Sequence, residues 1–98
     1  MTSKQRAMLR AMANEYQPII YIGKEGVTEA LLQDADAALE ARELIKIHIL
    51  KNCADDGKEL AAMLAERTHS QVVQVIGKMI VLYKPAKEEK DRKIVLPQ

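Results

Sequence analysis

The chain has no phenylalanine, no tryptophan, a single cysteine, and no apolar run long enough to cross a membrane. Each gap excludes something. The lone Cys53 leaves no intramolecular disulfide and no cysteine cluster for zinc, and its place at the end of a strand-like run fits a small packed residue. With only Tyr16, Tyr21 and Tyr83 to stack on, a broad aromatic platform for unpaired bases is not expected. The first ten residues intersperse Lys4, Arg6 and Arg10 with polar groups, unlike a signal peptide, so the chain is expected in the cytoplasm with no membrane partner. His48 and His69 are separated by a whole helical segment, and there is no Walker-type glycine run or Rossmann fingerprint. No catalytic residue, metal ligand set or cofactor is therefore expected.

What remains is a chain of 98 residues, 48% hydrophobic and 30% charged, with room for one core. Its net charge of +1 conceals a segregation. Residues 27–43 carry five acids against one base, and residues 55–69 four against two; the segments 1–26, 44–54 and 70–84 each have a surplus of two bases. If the two acidic segments are helices on one side of the fold, the opposite side and its loops carry a positive field.

Local signals give the element order. Thr2 with Gln5 forms a capping box for a first helix bearing Met8, Leu9, Met12 and Tyr16 at helical spacing, and Pro18 ends it. Ile19 to Ile22 is a buried strand by its β-branched and aromatic content. A second helix over 28–42 carries Leu31, Leu32, Ala35, Ala38 and Leu39 on one stripe. Leu44 to Leu50 alternates Ile45, Ile47 and Ile49 against Lys46 and His48, which places the two polar side chains on an exposed face. Asp56 and Glu59 open a third helix, running to about Thr68, that buries Leu60, Met63 and Leu64. Val72 to Ile76 and Met79 to Leu82 form a hairpin through a type II′ turn at Gly77 and Lys78. Residues 1–84 make the domain, an α+β (two-layer α/β) fold of an N-terminal helix plus β-α-β-α-β-β with a four-stranded mixed sheet. Lys46, His48 and Gln74 favour one open sheet face. Residues 85–98 read as a charged, mobile C-terminal tail in which Ile94, Val95 and Leu96 could dock.

The most informative segment is Ile22-Gly23-Lys24-Glu25-Gly26-Val27-Thr28. Thr28 is a good N-cap and Val27 can staple onto Leu32, so the helix start aims free N–H groups and a positive dipole end at the glycine loop. That is an anion site in outline. Lys4, Arg6 and Arg10 before the loop, and Lys46 and Lys51 after it, can complete a phosphate track that positions a backbone without reading sequence. A G-x-x-G loop that clamps a backbone is also what KH modules use.

Leu9-Arg10, Pro18-Ile19-Ile20, the glycine segment, Glu43-Leu44-Ile45-Lys46 and Ile76-Gly77-Lys78-Met79-Ile80-Val81-Leu82-Tyr83-Lys84 occur in an order that resembles the CRM domain. That family is named for chloroplast RNA splicing and ribosome maturation. Over residues 2–84 the chain looks most like its free-standing bacterial YhbY type. The resemblance implies a fold similar to the C-terminal domain of translation initiation factor three. It also implies RNA as partner, specifically ribosomal RNA in precursors of the large ribosomal subunit, with contacts to ribosomal proteins in second place. Gly23, Lys24, Glu25, Gly26 and Thr28, with the basic residues named above, are the implied RNA contacts, and a monomer is expected. Asn14, Glu15 and Glu25 depart from the family's basic pattern and should weaken phosphate affinity. The alternative is a protein-interaction module that docks on a ribosomal protein or assembly factor through Leu44, Val72, Val81 and Tyr83 on an open sheet face.

Overall fold

Three helix starts are encoded by single side-chain caps, and all three form in the computed structural model, which describes residues 1–97. Thr2 opens α1 (Ser3–Asn14): its hydroxyl accepts from the Gln5 N–H at 3.1 Å and the Gln5 side-chain oxygen accepts from the Thr2 N–H at 3.0 Å. Thr28 opens α2 (Glu29–Arg42) by accepting from the Leu31 N–H at 3.1 Å. Asp56 opens α3 (Gly57–Thr68) by accepting from the Glu59 N–H at 3.3 Å. Helix α3 ends on His69 in the left-handed conformation at φ 57°, and the Ser70 N–H closes the end on the Ala65 carbonyl.

Four strands, β1 (Ile20–Ile22), β2 (Leu44–Ile49), β3 (Gln71–Ile76) and β4 (Met79–Tyr83), form one mixed sheet in the order β1-β2-β4-β3. β1 and β2 are parallel, as a helical crossover requires, and the other two pairings are antiparallel. Gly77 has φ 56° while Lys78 keeps a negative φ, which is the type II′ hairpin expected. The α+β fold, with three helices and a four-stranded mixed sheet, stands as the sequence indicates.

Alternation within the strands divides the core in two. Ile20, Ile22, Ile45, Ile47, Ile49, Ile80 and Leu82 face α2 and α3, meeting Leu32, Ala35, Leu39, Leu60, Ala61 and Leu64. Both acidic helices therefore lie behind the same face, as the charge pattern suggested. Met63 does not join them: it is 45% exposed. The buried stripe of α3 is Leu60, Ala61, Leu64 and Thr68, and Met63 falls on its flank, about 100° around the helix from Leu64.

The opposite face is covered except at its loop end, against the expectation of an open face. Leu44, Val73, Val81 and Tyr83 are buried there under Leu9 and Ala13 of α1 and under Ile94 of the C-terminal segment. Val72 turns the other way, onto the α2 and α3 side. The apolar stripe of α1 needs a surface, and these strand residues supply it. Lys46 lies on that covered face, yet its chain reaches out so that Nζ donates to the Ala13 carbonyl at 3.1 Å and the Tyr16 carbonyl at 3.4 Å, at the end of α1.

The C-terminal segment is anchored rather than free. Glu43, only 1% exposed, sits at φ 66° between α2 and β2. Its carboxylate accepts from the N–H groups of Ala86 at 2.8 Å, Lys93 at 2.6 Å and Ile94 at 2.9 Å. Its backbone is fixed too, with its N–H on the Leu39 carbonyl at 2.7 Å and its carbonyl taking the Lys84 N–H at 2.8 Å. Of the three apolar residues thought able to dock, Ile94 is 7% exposed and Leu96 packs on the second core, while Val95 is 82% exposed.

Candidate nucleic-acid interface at one end of the sheet

Because β1 and β2 run parallel and β4 starts antiparallel to them, three connections emerge side by side at one end of the sheet. The Leu50 N–H donates to the Ile22 carbonyl at 2.8 Å, joining the exit of β2 to the glycine loop. The Ile49 N–H donates to the Lys78 carbonyl at 2.7 Å, joining it to the hairpin turn. Neighbouring strands lie about 4.8 Å apart. Lys24, Lys51 and Lys78 thus stand on adjacent strand ends; all three are exposed, and no hydrogen bond or ion pair engages their side chains among the described residues. Exposed Lys58 begins α3 at the same end, since its neighbour Gly57 lies beside Ile49 and Gly77.

The glycine loop is a single tight turn. The Gly26 N–H donates to the Gly23 carbonyl at 3.0 Å, and Gly26 then takes φ 68° to lead into the Thr28 cap. Neither Lys24 nor Glu25 has positive φ, so the turn is of type I form. Past it, the N–H groups of Glu29 and Ala30 in the first turn of α2 find no acceptor among the described residues, as at most helix starts. Tyr21, the loop, Thr28 and Leu31 line a shallow depression of about 320 Å³. Glu25 and Asp55 bring negative charge to the same loop, Asp55 Oδ2 standing 3.1 Å from where a Cβ on Gly26 would lie. The loop is therefore not a uniformly basic surface.

The two glycines are not equivalent. A side chain at Gly26 would have to adopt positive φ and crowd Asp55, whereas one at Gly23 meets nothing nearer than the Asn52 side chain at 3.6 Å. Gly26→Ala should therefore destabilise the fold by about 1–2 kcal/mol, and Gly23→Ala by less than about 0.5 kcal/mol, in denaturant titrations. A clash of RNA with Gly23→Ala at unchanged stability would mark close backbone approach there; equal losses of stability in both variants would contradict the loop geometry.

Six of the ten residues singled out in the sequence gather at this end: Gly23, Lys24, Glu25, Gly26, Thr28 and Lys51. Two others do not offer free cations. Arg6 Nη1 donates to the Val72 carbonyl at 2.7 Å and the Val73 carbonyl at 2.9 Å, where the register of β3 shifts, and Lys46 is spent on the end of α1. Lys4 and Arg10 are exposed on α1, which packs over Leu44, Val81 and Tyr83, the half of the sheet away from the loop. Lys78 was not singled out, although pairing the hairpin with β2 places its turn beside Lys51. A larger cleft of about 540 Å³ lies between α1, the end of α2 and the C-terminal segment. Of its cations Lys46, Lys93 and Arg42, the first two cap helix carbonyls, Lys93 that of Ala41.

A four-stranded mixed sheet backed by two helices, with a capped glycine turn and lysines at one end, defines a small α+β binding domain. Residues 1–84 match the family model of the CRS1 / YhbY (CRM) domain. The chain is 46% identical over 90 residues to "Probable RNA-binding protein YqeI" of Bacillus subtilis, covering 92% of this chain and 94% of that one. It is 30% identical over 90 residues to a protein of Haemophilus influenzae named "RNA-binding protein", covering 92% and 91%. The solution structure of a hypothetical protein from Staphylococcus aureus, described as a candidate RNA binder, superposes with a TM-score of 0.82 at 49% identity, covering 99% of both chains. The chain belongs to the CRS1/YhbY (CRM) domain family.

Proposed function

We propose that this protein binds RNA through the loop end of its sheet and that its target is ribosomal RNA in precursors of the large ribosomal subunit, where it assists assembly in the cytoplasm. The observation that carries this is the run of Lys24, Lys51 and Lys78 on adjacent strand ends beside the glycine turn, in a chain whose relatives are named as RNA-binding. Lysines so placed neutralise successive phosphates and release counterions, a contribution indifferent to base sequence. The glycine turn brings backbone close, and the first turn of α2 adds a partial positive charge. No proton transfer or nucleophile is needed for this role.

Docking on a protein through Leu44, Val72, Val81 and Tyr83 is not available to the folded chain, because α1 and Ile94 cover three of them and Val72 packs on the α2 and α3 side. Three to five phosphate contacts give a slope of roughly −2 to −4 for log affinity against log salt on single-stranded RNA. Filter binding between low and physiological salt measures it, and a flat titration would contradict phosphate recognition. Association with assembly intermediates is tested separately by sedimentation: the protein should travel with large-subunit precursors and leave them at high salt.

A further inference from the structure

One rung of the sheet stays uncovered. On the face that α1 and the C-terminal segment occupy, the last rung before the loops runs Tyr21, His48, Met79, Ile76 across all four strands, each in register with the next. Tyr21 is 52% exposed and Ile76 61%, with His48 and Met79 half-buried between them. On the rung next inward, Val81 is already buried under α1. The Tyr21 ring meets the His48 ring edge-on, with centroids 5.9 Å apart at 63°, and its hydroxyl donates to the Pro18 carbonyl at 3.3 Å. The ring is thus held in place while half of its surface is bare.

We propose, resting on the RNA-binding function above, that this rung is a stacking strip for one or two unpaired nucleobases of a single-stranded RNA whose phosphates lie on Lys24, Lys51 and Lys78. Every nucleobase has a π face, and an aromatic ring, an imidazole and a thioether in a row accept it without regard to sequence. No carboxylate stands in the rung, and the three lysines leave the ends of the same strands. Tyr21 also lines the depression that holds Lys24 and both glycines, so a base on the ring and a phosphate on the loop are within one nucleotide's reach. A nucleic-acid strand uses both features. An apolar protein surface would desolvate three cations without giving them partners. The scarcity of aromatics sets the width of the strip: Tyr83 is buried and Tyr16 packs with it in the second core, which leaves one tyrosine for bases.

The test is fluorescence anisotropy with a short labelled single-stranded RNA and a blunt RNA duplex, at one salt concentration. Tyr21→Ala should weaken single-strand binding about tenfold and leave duplex binding unchanged, while Tyr21→Phe retains both. Ile76→Ala, at so exposed a position, keeps the fold and should give a smaller loss on the single strand only. Lys24→Ala should weaken both ligands. In NMR spectra the Tyr21 and His48 ring protons should move upfield on adding the single strand. If Tyr21→Ala binds the single strand normally while Lys24→Ala does not, the strip is overturned and RNA binding stands. Equal loss on both ligands in Tyr21→Ala at unchanged melting temperature also overturns stacking. A wild-type protein that binds neither ligand overturns both claims.

Discussion

Glu43→Ala is expected to release the C-terminal segment and lower stability by about 3 kcal/mol, which for a domain of this size is a fall in melting temperature of roughly 12–24 °C. The substitution strips the acceptor from three N–H groups and uncovers Ile94, whose burial alone is worth about 1.5–3 kcal/mol before the cost of ordering the segment. Glu43 also holds a positive φ, a backbone that costs on the order of 1–3 kcal/mol and persists only where the surroundings hold it. Glu43→Gly relieves that strain but not the lost carboxylate, so it should be less damaging than alanine by about 1 kcal/mol.

The same group sets an acid limit. Burial pushes the Glu43 carboxyl up, but the N–H bonds from Ala86, Lys93 and Ile94 and the nearby Arg92 outweigh it and hold the carboxyl below its ordinary value of 4.5. A carboxyl whose folded value is depressed contributes fully above its unfolded value, and that contribution is lost as pH falls through the folded one. Melting temperature should therefore drop below about pH 4.5 in the wild type, and Glu43→Gln should be less stable at neutral pH with a shallower acid decline. Parallel acid limbs in the two proteins would show that Glu43 is not the anchor.

The second large effect falls on affinity. Replacing Lys24, Lys51 and Lys78 together by alanine should weaken single-stranded RNA binding roughly 30- to 100-fold near physiological salt, at about 0.7–0.9 kcal/mol for each lost phosphate contact. The salt slope should become shallower by about 2. Stability should hardly change, because none of the three side chains makes a hydrogen bond or ion pair among the described residues. The corresponding triple change at Lys46, Lys84 and Lys93 behaves in the opposite way, since these side chains cap α1, α3 and α2 by donating to the carbonyls of Ala13, Thr68 and Ala41. It should cost stability first.

This contrast also explains which parts of the molecule were legible in the sequence. Thr2, Thr28 and Asp56 announce helix starts because a cap acts within three residues, and Gly77 announces its turn because only φ distinguishes the hairpin types. Arg6 and Lys46 look like free cations because their acceptors lie 66 and 33 residues away in the chain. The C-terminal segment, dense in alternating charge, has no local sign of order. Its anchor is a glutamate of ordinary appearance at the end of α2, with partners up to 51 residues on. The expected open sheet face survives only at its last rung for a related reason: Lys46, His48 and Gln74 are polar, but their neighbours on that face, Leu44, Val73, Val81 and Tyr83, form a second core. Lys78 could have been found by carrying the hairpin register one step further, to its pairing with β2.

The most direct test of RNA binding at the loop end is an amide NMR titration of the intact chain with a short single-stranded RNA at low salt. The largest shifts should fall in residues 21–28, 48–53 and 76–79, three stretches distant in sequence that meet at one end of the sheet. Shifts concentrated instead on the outer surfaces of α2 and α3, or on α1 and the C-terminal segment, would contradict it.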